Sequence, residues 1–134
     1  MNIIFGRPPN FQQIVAAFPS AKREGCIFTY GDTVFVTKPN DIYLIPSLKA
    51  HEQVHIDQQK KLSPERWWEN YLKDDTFRLE QELPAHRAEY ACVKNLSQDR
   101  NKHAAALSVI AQRLSGSLYN GMLSYTEARR RIVA

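Results

Sequence analysis

Three residues stand at a spacing that can do chemistry. His51, Glu52 and His55 follow the order H-E-x-x-H inside "SLKAHEQVHIDQQ". On a helix, positions four apart share one face, about one turn apart. Both imidazoles can then offer a nitrogen to one metal ion. Glu52 is rotated about 100° from His51, so it flanks that ion rather than binding it. From there a general base can take a proton from a metal-activated water. Zn2+ suits two neutral imidazoles and one carboxylate, and it lowers the pKa of such a water towards neutrality. With four His and eight Glu in the chain, chance alone produces the motif in roughly one such sequence in a hundred.

A catalytic zinc needs a third protein ligand. The segment "FRLEQELPAHRAEYACV" offers candidates. With Glu82 as the reference direction on a helix, His86, Glu89 and Val93 fall within about 40° of it. Glu80 points about 160° away, towards solvent. Glu82, His86 and Glu89 can therefore face the ion. Leu79 and Tyr90 lie near the same face, which argues that it is buried, and a buried carboxylate needs a partner. Pro84 removes one helical hydrogen bond just after Glu82 and favours a kink there.

The elements that must position these residues are legible from periodicity. No Gly or Pro falls between Ser47 and Ser63, so the motif sits in an uninterrupted helix. Leu48, His51, His55 and Leu62 share one stripe of it, with Val54 beside them. Earlier, "FQQIVAAF" has helical spacing, with Asn10 as N-cap and Pro19 as stop. "CIFTY" and "TVFV" flank the two-residue turn Gly31-Asp32, a hairpin signature. "IYLI", Ile42 to Ile45, reads as a third short strand. Ser63-Pro64 starts a helix through "PERWWENYL". Asp75 or Thr76 caps a long helix to about Leu96, and Ser97 caps another to about Leu114. "SGSLYNG" breaks the pattern. Ser124 with Glu127 forms a capping box before the last helix. The expected fold class is α+β: one domain over residues 1–134, with a small antiparallel sheet packed on several helices and a helix-rich C-terminal two-thirds.

Composition narrows the function classes. At 43% hydrophobic and 24% charged, the chain reads as a soluble globular domain that needs no disulfides to build a core. Cys26 and Cys92 lack a partner at zinc-finger spacing and read as reduced thiols. The N-terminus lacks a basic start and an apolar run, so no signal peptide is expected. No run of about 18 apolar residues exists, so no membrane span is expected. Both point to an intracellular protein. The net charge of +4 is spread in small groups, with only Arg129-Arg130-Arg131 as a run. That disfavours a nucleic-acid surface. Trp67 and Trp68 read as packing anchors, and Gln58 and Gln59 as helix surface or a cap for a nearby loop.

The stretch "HEQVHIDQQ", then "WWENYL", "FRLEQELPAHRAEY" and "LSGSLYNGMLSYTEARRRI" resembles small zinc metallopeptidases of the kind encoded by phages and prophages. Those proteins are zincin-like, with an H-E-x-x-H helix and a downstream glutamate. The resemblance covers roughly residues 40–134. It implies a minimal zincin-like domain with His51 and His55 as metal ligands, Glu52 as catalytic base and Glu82 as third ligand. Glu89 and His86 follow as alternative ligands. Glu89 could otherwise serve His51 or His55, and His86 or Tyr90 could donate to an oxyanion. The expected activity is zinc-dependent hydrolysis of a peptide or protein, with "TVFV" or "IYLI" as the sheet edge that pairs with the substrate. The competing expectation is a catalytically silent zincin fold serving as a virion- or tail-associated part of a larger phage assembly.

Overall fold

The computed structural model of the chain describes residues 1–134. Its elements in order are β1 (Asn2–Phe5), α1 (Phe11–Ala17), β2 (Ile27–Tyr30), β3 (Thr33–Val36), α2 (Pro46–Leu62), α3 (Pro64–Lys73), α4 (Asp75–Leu96), α5 (Arg100–Leu114) and α6 (Tyr125–Val133). Three short 3-10 turns join them, at Pro19–Lys22, Pro39–Tyr43 and Ser117–Tyr119. The class is α+β, with the helices concentrated after residue 45.

The hairpin forms where its turn residues place it. Gly31 adopts φ +65, a left-handed conformation that costs glycine little. β2 and β3 then pair antiparallel, Tyr30 with Thr33 through Ile27 with Val36. The third strand is not "IYLI". It is Asn2–Phe5, which runs parallel to β3 from Asn2↔Thr33 to Phe5↔Val36. The sheet is therefore mixed rather than antiparallel, in the order β1-β3-β2. With β1 and β2 on its two sides, β3 ("TVFV") is the central strand and offers no edge. "IYLI" joins neither outer strand of this sheet. Pro39 instead opens a 3-10 turn that exposes Ile42 and Tyr43 and buries Leu44.

The two sheet faces carry different helices. Val34 and Val36 pack with Leu44 and with Ile56 of α2. Phe28, on the other face, packs with Ile14 of α1 and with Trp67, Trp68 and Tyr71 of α3. A third cluster joins Leu79 of α4 to Leu107, Ile110, Leu114, Ala128 and Ile132 of α5 and α6. Both tryptophans are buried, as packing anchors should be. Leu62 is exposed, so the inward stripe of α2 ends at Ile56 and Gln59 instead.

Helix ends mostly follow their caps. Ser63 and Ser124 accept from the backbone N–H of Arg66 and Glu127. Asp74 caps α4 and Asp99 caps α5, one or two residues from the expected positions. Asn10 occupies the N-cap position of α1 but makes no capping bond. α4 continues through Pro84. Pro84 and Glu80 both lie on its exposed side, so water can reach the carbonyl that Pro84 leaves unpaired.

Arg78 ties α3, α4 and the turn after α5 together. It is 3% exposed. Its guanidinium donates to the carbonyls of Tyr71 and Leu118 and to Asp75, and it stacks over Phe18. Arg78→Met would leave those buried carbonyls unpaired. We expect it to lower the unfolding free energy by about 2–4 kcal/mol, read as a lower urea midpoint.

Candidate metal centre

α2 and α4 pack side by side, and each delivers three polar side chains to their seam. From α2 come His51, Glu52 and His55; from α4 come Glu82, His86 and Glu89. All six are buried, at 7% exposure or less. A helix repeats its face every 3–4 residues, so the 51/55 and 82/86/89 spacings reach one seam from both sides. Glu80 points outward.

The ligand atoms converge. His51 Nε2 and His55 Nε2 stand 3.2 Å apart. Glu82 Oε1 is 3.1 Å from His55 Nε2, and Glu82 Oε2 is 3.4 Å from His51 Nε2. Ligands at about 2.05 Å from a tetrahedral zinc are separated by about 3.3 Å. The two nitrogens stand near that spacing from each other, and each stands near it from one oxygen of the Glu82 carboxylate. Tautomers support the fit. His51 Nδ1 faces Glu89 Oε1 at 2.9 Å, and His55 Nδ1 faces Gln58 Oε1 at 2.9 Å. Each Nδ1–H thus has an acceptor, which turns both Nε2 lone pairs towards the carboxylate of Glu82. Two lone pairs and a carboxylate in one buried place require positive charge between them. His51, His55 and Glu82 lie close enough to bind one metal ion.

Without an ion, a proton on His51 supplies that positive charge. Burial works against a charged His51, but the carboxylates of Glu82 and Glu89 overcome it and push the imidazole up to about 10. Burial alone would raise Glu82, yet His55 and His51 hold it well below the usual carboxylate range. His86 goes the other way: burial lowers it to about 4. It stays neutral, with Nδ1–H donated to the Glu82 carbonyl oxygen at 2.7 Å.

A surrounding layer holds these groups in place. Thr29, from β2, donates its hydroxyl to Glu52 Oε2 at 2.6 Å. Tyr71, from α3, donates to Glu82 Oε1 at 2.9 Å. Gln58 is no surface residue: it also donates to the Gln81 carbonyl. Gln59, 1% exposed, donates to the Thr29 carbonyl and accepts from Gly31 N–H, which caps the hairpin turn. Glu89 carries the Arg113 guanidinium on its other oxygen. Glu89→Gln is expected to weaken metal binding by about 10–100-fold, measured by competition against a chromophoric chelator.

The seam opens into a cleft of about 630 Å³, walled by Ile14, Phe18, Phe28, Trp68, Leu118 and Tyr119 among others. Tyr90 is not part of it. It packs against the α4–α5–α6 cluster, with the Lys94 ammonium 5.4 Å from its ring. His86 does line the cleft, but its one N–H is spent on Glu82. Tyr119 lines it too; burial, then the Glu82 charge, holds its hydroxyl well above the usual range, so it keeps its proton. Of the residues that sequence reasoning passed over, only Gln58 carried a signal, three positions after His55. Thr29, Tyr71 and Arg113 arrive from other elements, where no local spacing marks them. Comparisons with family models, with curated proteins and with solved structures returned no match.

Proposed function

We propose that the chain is a zinc-dependent hydrolase whose substrate is a peptide or protein. One observation carries this reading. Two imidazole nitrogens and the Glu82 carboxylate, close enough to hold one ion, stand beside a second carboxylate, Glu52, that is clamped from a different element and lines an open apolar cleft. Two neutral imidazoles and one carboxylate form a donor set typical of catalytic zinc. When bound there, zinc supplies Lewis acidity, which acidifies a water and polarises a carbonyl.

The chain's own residues supply the rest. Glu52 takes the proton from the attacking water and returns it to the nitrogen of the departing amine. Thr29 keeps that carboxylate aimed. Tyr119, protonated and at the cleft wall, donates to the developing oxyanion, a role that neither His86 nor Tyr90 can fill. An extended chain meets the sheet along β2, since β3 is central. Antiparallel pairing turns the N–H and C=O of Ile27 away from β3, and Ile27 lines the cleft.

The test has two parts: metal analysis of purified protein, and a peptide panel assayed before and after chelation. About one zinc per chain, with hydrolysis lost on chelation and regained with zinc, supports the proposal. A metal-free protein that takes up no zinc sinks it. A second reading has its own observation. Phe5, Tyr43 and Ile45 are 59%, 80% and 57% exposed, an apolar surface that suits a part of a larger assembly. Zinc without hydrolysis of any peptide, and with stable association with phage components, would favour that reading.

A further inference from the structure

The cleft is lined by two carboxylates, Glu52 and Glu82, with Glu89 just behind His51. Among the lining residues only Arg113 is Lys or Arg. It stands near the C-terminal end of α5, with its side chain 42% exposed. One terminal nitrogen donates to Glu89 Oε2, which accepts His51 on its other oxygen. A guanidinium has five N–H groups in a planar fork. Arg113's only side-chain bond is the one to Glu89, so its remaining donors face solvent and cleft. Glu89 therefore fixes one side of the fork and leaves the other free.

A fixed, half-exposed guanidinium at the mouth of an apolar cleft is suited to a carboxylate, which it can meet with two parallel bonds. The walls favour apolar side chains, and Arg113 would reward one anion among them. We propose that Arg113 determines specificity by binding a carboxylate of the substrate, so the cleft prefers peptides that carry one within a few residues of the reacting bond. This rests on the hydrolase reading and adds the substrate class. Distance sets the register. Between Arg113 and the metal-facing nitrogen of His51 stands one carboxylate and one imidazole, so a bound anion lies no more than about four residues of extended chain away, at about 3.3 Å each. The carboxylate has two possible sources, the peptide's own C-terminus or an acidic side chain.

Three probes separate the sources: acetyl-Ala-Ala-Leu-Leu as the free acid, the same peptide as its amide, and acetyl-Ala-Glu-Leu-Leu amide. Binding is measured by calorimetry on chelated protein, where hydrolysis does not compete, and again on zinc-loaded E52Q. At least one carboxylate probe is expected to bind about tenfold or more tightly than the neutral amide, and which one does so identifies the source. R113Q should erase the preference, and R113K should keep part of it, as a charge without a fork. If Arg113 merely held Glu89 in place, R113Q would weaken all three probes alike and leave their ranking intact; that result overturns the proposal. So does equal binding of acid and amide by the unmodified protein, or no binding of either carboxylate probe at millimolar concentration. Hydrolysis is scored separately. A carboxylate preference without cleavage keeps this inference and removes the hydrolase reading. Cleavage that ignores the carboxylate does the reverse.

Discussion

Glu52→Gln is expected to reduce peptide hydrolysis by about 10²–10⁴-fold while zinc stays bound at the same stoichiometry. The amide is nearly the same size, so the packing of α2 changes little. It can still accept the Thr29 hydroxyl bond on its carbonyl oxygen, which preserves the geometry seen at 2.6 Å. What it cannot do is take a proton. Glu52 is also not among the three converging ligands, so the metal loses nothing. Assaying activity and zinc content on one preparation separates the roles. Undiminished hydrolysis would remove Glu52 from the mechanism, and loss of zinc would make it a ligand instead.

The second large effect is on stability. Zinc present at about a thousand times its dissociation constant stabilises the folded state by about 4 kcal/mol. For a chain of this length that corresponds to a rise in melting temperature of about 10–15 °C. We expect chelation to reverse it, and Glu82→Ala to melt at the same temperature with and without zinc. Identical melts of the unsubstituted protein in zinc and in chelator would argue against a metal site. The pH dependence has a definite sign. In the metal-free protein the His51 imidazolium is held up to about 10 by Glu82 and Glu89 against burial. Its contribution to folding is fully present below the ordinary value of 6.5 and is lost as pH rises through about 10. Zinc needs the neutral ring, so protons compete with it below that point. The zinc-dependent part of the melting shift should therefore grow as pH rises from 6 to 9.

The parts of this site that were legible in the sequence share one property: they lie on single helices. His51 and His55, or Glu82, His86 and Glu89, are related by the period of one element, and that period survives folding. The solvent direction of Glu80 follows from the same rule. The sheet was harder to read. Gly31-Asp32 announces a hairpin because the turn is local. The pairing of Asn2–Phe5 with Thr33–Val36 is parallel and crosses about thirty residues, so no adjacent turn marks it. "IYLI" misleads because four apolar residues fit a strand or one buried turn equally well. Here Pro39 opens a 3-10 turn and only Leu44 is drawn into the core, packed with Val34, Val36 and Ile56, and that packing is tertiary. Thr29, Tyr71 and Arg113 reach the site for the same kind of reason. Each is brought in by packing between elements, and none carries a spacing that points at the motif.

The clamp on Thr29 has a consequence for the protein's behaviour in a crowded solution. An unpaired strand edge is a template for another copy of itself, and exposed edges are where chains begin to aggregate. β2 is such an edge, and it borders the cleft. Gln59 and Trp68 both donate to the carbonyl of Thr29, which occupies its two lone pairs. A stray strand arriving at β2 can therefore find partners only around Ile27, too few for a ladder to grow there. On that side of the sheet, the bonds that fix Thr29 beside Glu52 also deny a foothold to the long, self-propagating pairing that would take the protein out of solution.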